Sequence, residues 1–286
     1  MKRFLPVLFL VLAPGLFSMD WPSPSGTMRR NFGWNNGGLP HLGVSFDAEG
    51  SLGAVEDGEL LYRRTEGDTA SRLPSPLGSW IALDHGDGII SIYSRFDGKF
   101  SPQLPEQVAK GRLLCEAGIS GWSSREGFYF QLFDRKERRW INPSMIITPP
   151  EDTRPPTILS VQLRDDQGKL FDPSQTKTLN QGHYFIIVDT FDTMRLPGEN
   201  PLAPYRIICS LNGSETGGLN FETYSVRNGV LMVYRNGLVP VRQVYAPVPG
   251  YEVAEVWLSR GQTTLEIIAQ DIAGNARNVV YRLMVE

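Results

Sequence analysis

Beyond residue 156, short apolar and β-branched runs alternate with turn signals such as Asn212-Gly213 and Asn228-Gly229. Runs of this length between Gly and Asn turns predict antiparallel strands joined by hairpins. The 29 Gly and 21 Pro of the 286-residue chain also argue against a helix bundle. The predicted strands are Thr157 to Leu163, Tyr184 to Asp189, Tyr205 to Leu211, Val230 to Tyr234, Val253 to Leu258, Leu265 to Ala269 and Val279 to Val285. We therefore expect an all-β chain whose residues 157–286 form an antiparallel β-sandwich.

A proline-rich segment at residues 148–156 divides the sequence. Its four prolines remove backbone donors and favour extended conformations. It is predicted to be a stiff linker between an N-terminal domain, residues 19–147, and a C-terminal domain, residues 157–286.

Residues 1–18 are predicted to be a signal peptide. Lys2 and Arg3 precede an apolar stretch from Phe4 to Phe17, which is shorter than the roughly 20 residues needed to span a bilayer. An uncleaved apolar tail is the alternative. We expect an exported protein without a stable membrane anchor, and its net charge of −3 gives no basic footprint for nucleic acid.

Cysteine and histidine are scarce. Any zinc site with several such ligands must draw on His41, His85, His183, Cys115 and Cys209. The two cysteines fall in strands of different predicted domains, and a disulfide needs Cα atoms within about 7 Å. They are predicted to be separate buried thiols.

Eight short motifs follow one another along residues 21–143. They are Trp21-Pro22 with Phe32-Gly33, His41 to Asp47, Gly50 to Gly58, Trp80 to Gly88 with Ile92 to Arg95, Val108 to Gly111, Gly118 to Ser124, Phe128 to Gln131, and Asn142-Pro143. In this order they resemble the lysostaphin- and LytM-type zinc endopeptidases, which cut peptidoglycan cross-bridges. The resemblance implies the family's antiparallel β domain, the duplicated hybrid motif fold. Further along, Ile268 to Asn275 resembles the last hairpin of bacterial immunoglobulin-like modules.

The same resemblance implies that the family's zinc site is incomplete here. The family holds zinc with the His and Asp of its His-x-Gly-x-Asp motif and the second His of a His-x-His strand, and two further histidines handle protons. In this chain His41 is retained, Ser45 stands at the Asp position and Arg95 at one proton-handling His. Gly127 and Tyr129 stand at the two histidines of His-x-His, and no histidine occurs between His85 and His183. His41 is thus a vestigial ligand, and no cofactor is expected.

The residues around the former metal position are predicted to form a binding groove. Arg95 stays protonated and cannot act as a general base, but it suits an anion such as a stem-peptide carboxylate. Asp47 shares a strand face with Ser45, and Tyr129 shares one with Gln131, whereas Phe128 and Phe130 are expected in the core. The predicted groove residues are His41, Ser45, Asp47, Tyr93, Arg95, Tyr129 and Gln131.

The sequence thus favours a non-catalytic protein of the bacterial envelope, periplasmic or secreted, that binds peptidoglycan or regulates a cell-wall hydrolase. One alternative is an active peptidoglycan metalloendopeptidase with an atypical site, and another is a structural scaffold. His85 and His183 are expected to be structural. Asp189, Asp192 and Asp271 are expected to cap turns rather than to bind calcium.

Overall fold

The computed structural model describes residues 19–66, 73–100, 104–193, 200–245 and 250–286. The predicted signal peptide, residues 1–18, lies outside the described residues. Within them nearly all regular secondary structure is strand, with one 3₁₀ turn at Pro143–Met145 and one short helix, α1, at Val241–Val244. The all-β prediction is confirmed. No helix in the described ranges is both long and apolar enough to cross a membrane.

The N-terminal half is a twisted antiparallel sheet with a small second sheet over one face. Its strands are β1 (Thr27–Arg30), β2 (Val44–Asp47), β3 (Ser51–Gly53), β4 (Gly58–Arg64), β5 (Ser79–Asp84), β6 (Ile89–Phe96), β7 (Gln107–Val108), β8 (Leu113–Glu116), β9 (Phe128–Asp134) and β10 (Arg139–Ile141). The main sheet runs β10-β9-β6-β5-β4-β7, with β2 also paired to β9 and β1 to β2, while β3 and β8 pair separately. Because side chains alternate along β9, Phe128, Phe130 and Leu132 enter the core, and Tyr129 and Gln131 lie on the other face.

The C-terminal half is a sandwich of two sheets around one large core. Its strands are β11 (Thr157–Asp165), β12 (Leu170–Phe171), β13 (Thr178–Leu179), β14 (Gly182–Phe191), β15 (Arg206–Leu211), β16 (Ser214–Arg227), β17 (Val230–Tyr234), β18 (Leu238–Pro240), β19 (Tyr251–Leu258), β20 (Gly261–Gln270) and β21 (Ala276–Val285). The sheet β12-β11-β14-β19 packs against β13-β21-β20-β15-β16, and residues such as Ile186, Val253 and Ile267 fill the space between them. The immunoglobulin-like assignment remains a prediction.

All seven strands predicted in this half have counterparts in the structure. The longest strand of the half, β16, was not predicted from the sequence. Strand β16 contains Gly217-Gly218 and many polar residues, which weaken the strand pattern. Gly217 is required there because a Cβ atom would press against Ala254 of the opposite sheet. The close contact between the two sheets therefore requires a glycine, and this glycine weakens the sequence pattern that would predict the strand.

The two halves share one continuous sheet. Strand β10 pairs with β16, with Trp140 opposite Tyr224, and Phe32 of the N-terminal half is fully buried in the C-terminal core. The Gly33 carbonyl accepts hydrogen bonds from the hydroxyl of Tyr245 at 2.7 Å and of Tyr251 at 3.4 Å. Residues 148–156 carry no regular secondary structure. The division into two independent domains stays a prediction.

The two cysteines are buried, and His85 and His183 have polar partners within the fold. Cys115 and Cys209 are free and buried, as expected. His85 Nδ1 lies 2.7 Å from the Asp57 carbonyl oxygen, and its Nε2 lies 2.7 Å from Ser91 Oγ. His183 Nδ1 lies 2.7 Å from Asp166 Oδ1, and its Nε2 lies 2.9 Å from Glu255 Oε1, at the surface.

The three aspartates considered for calcium do not act as one group. Asp271 accepts hydrogen bonds from the backbone and side-chain nitrogens of Asn275, so it caps a turn. Asp189 lies within β14, opposite Ser160 of β11. The carboxylates of Asp192 and Asp271 instead approach Asp152 of the linker.

Candidate functional site

A cleft of about 360 Å³ is lined by residues of β1, β2 and β6 and of the loops around them. Its lining is unusually rich in arginine, with Arg29, Arg30, Arg95 and Arg125 around the buried His41 and Ser45. Trp34 and Trp122 line it too, and Trp122 is 78% exposed. Asn200 and Pro201, from beyond the linker, form part of one wall.

His41 is held as a neutral ring at the base of the cleft. Both backbone groups of His41 are hydrogen-bonded: its N–H donates to the Trp34 carbonyl, and its carbonyl accepts from Gly33 N. Its Nε2 lies 2.9 Å from Ser45 Oγ. Burial, together with the charges of Arg95, Arg30 and Arg29, lowers the pKa of His41 to about 3. The ring is therefore uncharged at neutral pH.

Tyr129 lies between His41 and Arg95. The His41 and Tyr129 ring centroids are 4.7 Å apart, and Arg95 Cζ lies 4.7 Å from the Tyr129 centroid. A guanidinium at this distance from an aromatic ring is attracted by the ring quadrupole. Burial raises the pKa of Tyr129, so the phenol is neutral. The three side chains form one tilted stack on the predicted groove face, but Tyr129 is buried and does not itself line the cleft.

Arg95 reaches the cleft because β6 carries a bulge. Ser94 pairs with Trp80 and Phe96 pairs with Ser79, so Arg95 has no partner residue on β5. Its φ of 67° is in the left-handed region, where a non-glycine residue is uncommon. Hydrogen bonds to the Leu77 and Pro76 carbonyls hold the bulge. The extra residue turns the guanidinium away from the core.

This bulge corrects the prediction for Tyr93. Without the bulge, Tyr93 and Arg95 would share a face, whereas the structure buries Tyr93 completely in the core beside Phe130. Its hydroxyl accepts hydrogen bonds from Val55 N and Ser91 Oγ. Tyr93 therefore does not line the cleft.

Gln131 and Asp47 lie at the edge of the site and do not line the cleft. Gln131 is buried and donates from Nε2 to the Leu42 carbonyl, which fixes the backbone next to His41. Asp47 lies near the end of β2, with Oδ1 3.4 Å from Arg29 Nη1 and Oδ2 3.9 Å from Arg125 Nη1. Both residues thus support the cleft from its edge.

The backbone at Gly127 leaves no room for a side chain. Gly127 has φ +148°, and a Cβ atom there would overlap the Phe46 carbonyl oxygen. No L-residue fits this position without moving β2. A histidine at position 127 is therefore incompatible with this packing of the main chain.

The residues of the cleft do not fit zinc. A protein zinc site supplies at least three nitrogen, sulfur or oxygen donors, but here Nε2 of the single histidine is bonded to Ser45 and Asp47 is paired with arginines. The surrounding guanidiniums would also repel a divalent cation. Within the described ranges, the one group of three potential ligands is Asp152, Asp192 and Asp271, and it contains none of the cleft residues.

Arg29, Arg30, Arg125, Trp34 and the wall from Asn200 were not predicted from the sequence. Adjacent residues on a strand normally face opposite sides, so Arg29-Arg30 gave no signal of a shared site. A register irregularity between Met28 and Arg30 lets both line the cleft.

Comparisons with known proteins give one match to a family model and several similar solved structures. A protein-family model matches residues 155–286, which begin at the end of the linker. No curated protein matches the sequence. The chain is similar to a catalytic-domain mutant of the prophage-encoded M23 protein EnpA from Enterococcus faecalis, with 20% identity over 42% of this chain and 88% of that one and a TM-score of 0.34.

Two further solved structures are similar to this chain. The catalytic domain of lysostaphin from Staphylococcus simulans is 20% identical over 38% of this chain and 81% of that one, with a TM-score of 0.33. A chain of the SpoIIQ–SpoIIIAH pore-forming complex is 13% identical over 46% of this chain and 92% of that one, with a TM-score of 0.38. The sequence identities and TM-scores are low for all three structures, and none of these structures indicates an activity for this chain.

Proposed function

We propose that this chain is a non-catalytic, peptidoglycan-endopeptidase-like protein of the bacterial cell envelope. It binds peptidoglycan, or regulates a cell-wall hydrolase, through the arginine-lined cleft. The observation that carries the proposal is the stack of His41, Tyr129 and Arg95, in which a neutral histidine bonded to Ser45 occupies the vestigial ligand position. The ordered motifs of residues 21–143 support the link to the cell wall.

Hydrolysis by the family's route is not supported by these residues. That route needs a metal that lowers the pKa of a bound water towards neutrality. Arg95 cannot accept a proton at its position, and the low pKa of His41 makes it a weak base. The cleft is suited to binding.

Two measurements test the proposal. After dialysis against zinc and then buffer, the protein should retain no stoichiometric metal by mass spectrometry. One tightly held zinc per chain would instead favour the alternative of an active metalloendopeptidase with an atypical site.

Sedimentation with purified sacculi tests wall binding, using Arg95→Ala and the exposed Arg277→Ala as a matched loss of one charge. The wild type and Arg277→Ala should pellet, and Arg95→Ala should pellet less. A wild-type protein left in the supernatant would contradict wall binding. The regulatory role would then depend on stimulation of a cell-wall hydrolase, and failure there too would favour the scaffold alternative.

A further inference from the structure

Positive charge in the cleft greatly exceeds negative charge. Four guanidiniums line it, and the carboxylate of Asp47 is the one acidic group paired with any of them among the described residues. Among the described residues, the Arg30 guanidinium donates to the amide oxygen of Asn36, and the Arg95 guanidinium donates to the Pro76 carbonyl. Burial lowers the pKa of Arg95, and the charges of Arg29 and Arg30 lower it further against an opposing effect of Tyr129. An anion in the cleft would relieve this repulsion.

Asp47 neutralises its two arginines poorly. Its contacts of 3.4 Å to Arg29 and 3.9 Å to Arg125 are longer than the roughly 2.7–2.9 Å of a good charge-assisted hydrogen bond. Asp47 Oδ1 and Arg29 Nε are both buried, yet neither has a hydrogen-bond partner among the described residues. Buried polar atoms without partners are costly, so these groups are poorly satisfied by each other.

We propose that Asp47 is an internal counter-ion that an external ligand with two or more anionic groups displaces from Arg29 and Arg125. One anionic group would take the place of Asp47, and a second would bind Arg30 and Arg95. The ligand class is a polycarboxylate or a phosphate-bearing molecule, because guanidiniums bind both through paired hydrogen bonds. This inference rests on the proposed function only in using the same cleft.

The displacement predicts opposite effects for two kinds of substitution. Removing an arginine should weaken binding, while Asp47→Asn should strengthen it by on the order of fivefold, the size of one exposed ion pair. Asp87→Asn is the matched control, because Asp87 is an exposed carboxylate paired with Lys136 in the turn before β6. It changes net charge equally but should leave affinity unchanged.

Isothermal titration calorimetry with inorganic pyrophosphate and with tricarballylate, a tricarboxylate, tests this directly. Tighter binding of pyrophosphate would identify a phosphate ligand, and tighter binding of tricarballylate a carboxylate ligand. Arg95→Ala should weaken the preferred anion at least fivefold, and thermal melts would establish that each variant is folded. Arg30→Ala serves as the second variant if Arg95→Ala does not fold. Both effects should shrink at high salt, since ionic screening weakens exposed charges.

The proposal is overturned if neither anion binds the wild type, or if Asp47→Asn binds no more tightly than Asp87→Asn. These outcomes are separate from failure of the proposed function. Anion binding strengthened by Asp47→Asn without any sedimentation on sacculi would reject wall binding alone. If the protein sediments with sacculi but Asp47→Asn does not strengthen anion binding, only the counter-ion role of Asp47 would be rejected.

Discussion

Nε2 of His41 and Oγ of Ser45 lie 2.9 Å apart, so this buried ring nitrogen is satisfied by a neutral hydroxyl. The pair is nearly inaccessible, with 7% of His41 and 1% of Ser45 exposed. The serine hydroxyl satisfies the neutral ring, while the nearby charges of Arg95, Arg30 and Arg29 disfavour its protonation. The pair therefore ties the stability of the cleft to the protonation state of one ring.

Acid should destabilise the protein through His41. Its pKa is about 3 in the folded chain and 6.5 in the unfolded chain, so its contribution is complete above pH 6.5 and is lost as the pH falls towards 3. Between pH 7 and pH 4.5, urea unfolding of the wild type should lose about 2 kcal/mol more than that of His41→Asn. A His41 ring proton that titrates near pH 6 by NMR would contradict this, while His183 should titrate above its ordinary pKa because Asp166 bonds it.

Gly127 should not accept any side chain. We expect Gly127→Ala to destabilise the fold by about 3 kcal/mol or more, because the new Cβ would overlap the Phe46 carbonyl and the backbone is left-handed. Gly168→Ala is the control, since Gly168 also has positive φ but nothing lies within 4 Å of its would-be Cβ. That variant should lose only about 1 kcal/mol in urea unfolding, and equal losses would refute the steric explanation.

The bulge at Arg95 should separate stability from binding. Arg95→Gly relieves the left-handed strain of about 1 kcal/mol, whereas Arg95→Ala keeps it. Both variants lose the guanidinium over Tyr129. Arg95→Gly should thus unfold at a higher urea concentration than Arg95→Ala, and both should bind anions equally weakly. If Arg95→Gly is the less stable of the two, the bulge is not strained.

Phe32 should couple the two halves of the chain. It is fully buried in the C-terminal core, so Phe32→Ala should cost about 3–5 kcal/mol. Calorimetry should show one unfolding transition in the wild type, because β10 and β16 belong to one sheet. Phe100→Ala is the control, and it should cost less stability because Phe100 is only partly buried against the N-terminal core. Two well-separated wild-type transitions would support independent domains instead.

Seven of the eleven strands of the C-terminal half could be predicted from sequence because each carries its own apolar run. Strand β16 could not, since its glycines serve a contact with Ala254 that lies far away in sequence. Motif spacing placed His41, Tyr129 and Arg95 together, and the structure brings their side chains into contact, but a binding role for them stays a prediction. The predicted groove was wrong about Tyr93, because strict alternation ignores the bulge next to it.

The charge of the cleft could not be predicted for a related reason. Arg29 and Arg30 are adjacent, and only a local irregularity brings both to one side. Arg125 enters from a loop beside Gly127, and Asn200 enters from beyond the linker. Their convergence depends on tertiary packing, which no local pattern in the sequence encodes.

Asn200 and Pro201 give the cleft a wall from the half of the chain that follows the linker. The two halves are therefore not interchangeable modules. Replacing the sandwich that follows residues 19–147 with a different one would change the shape of the cleft entrance. Variation that accumulates on the sandwich side can change which ligands enter, even when every arginine is retained. Selectivity in such a protein is a joint property of both halves.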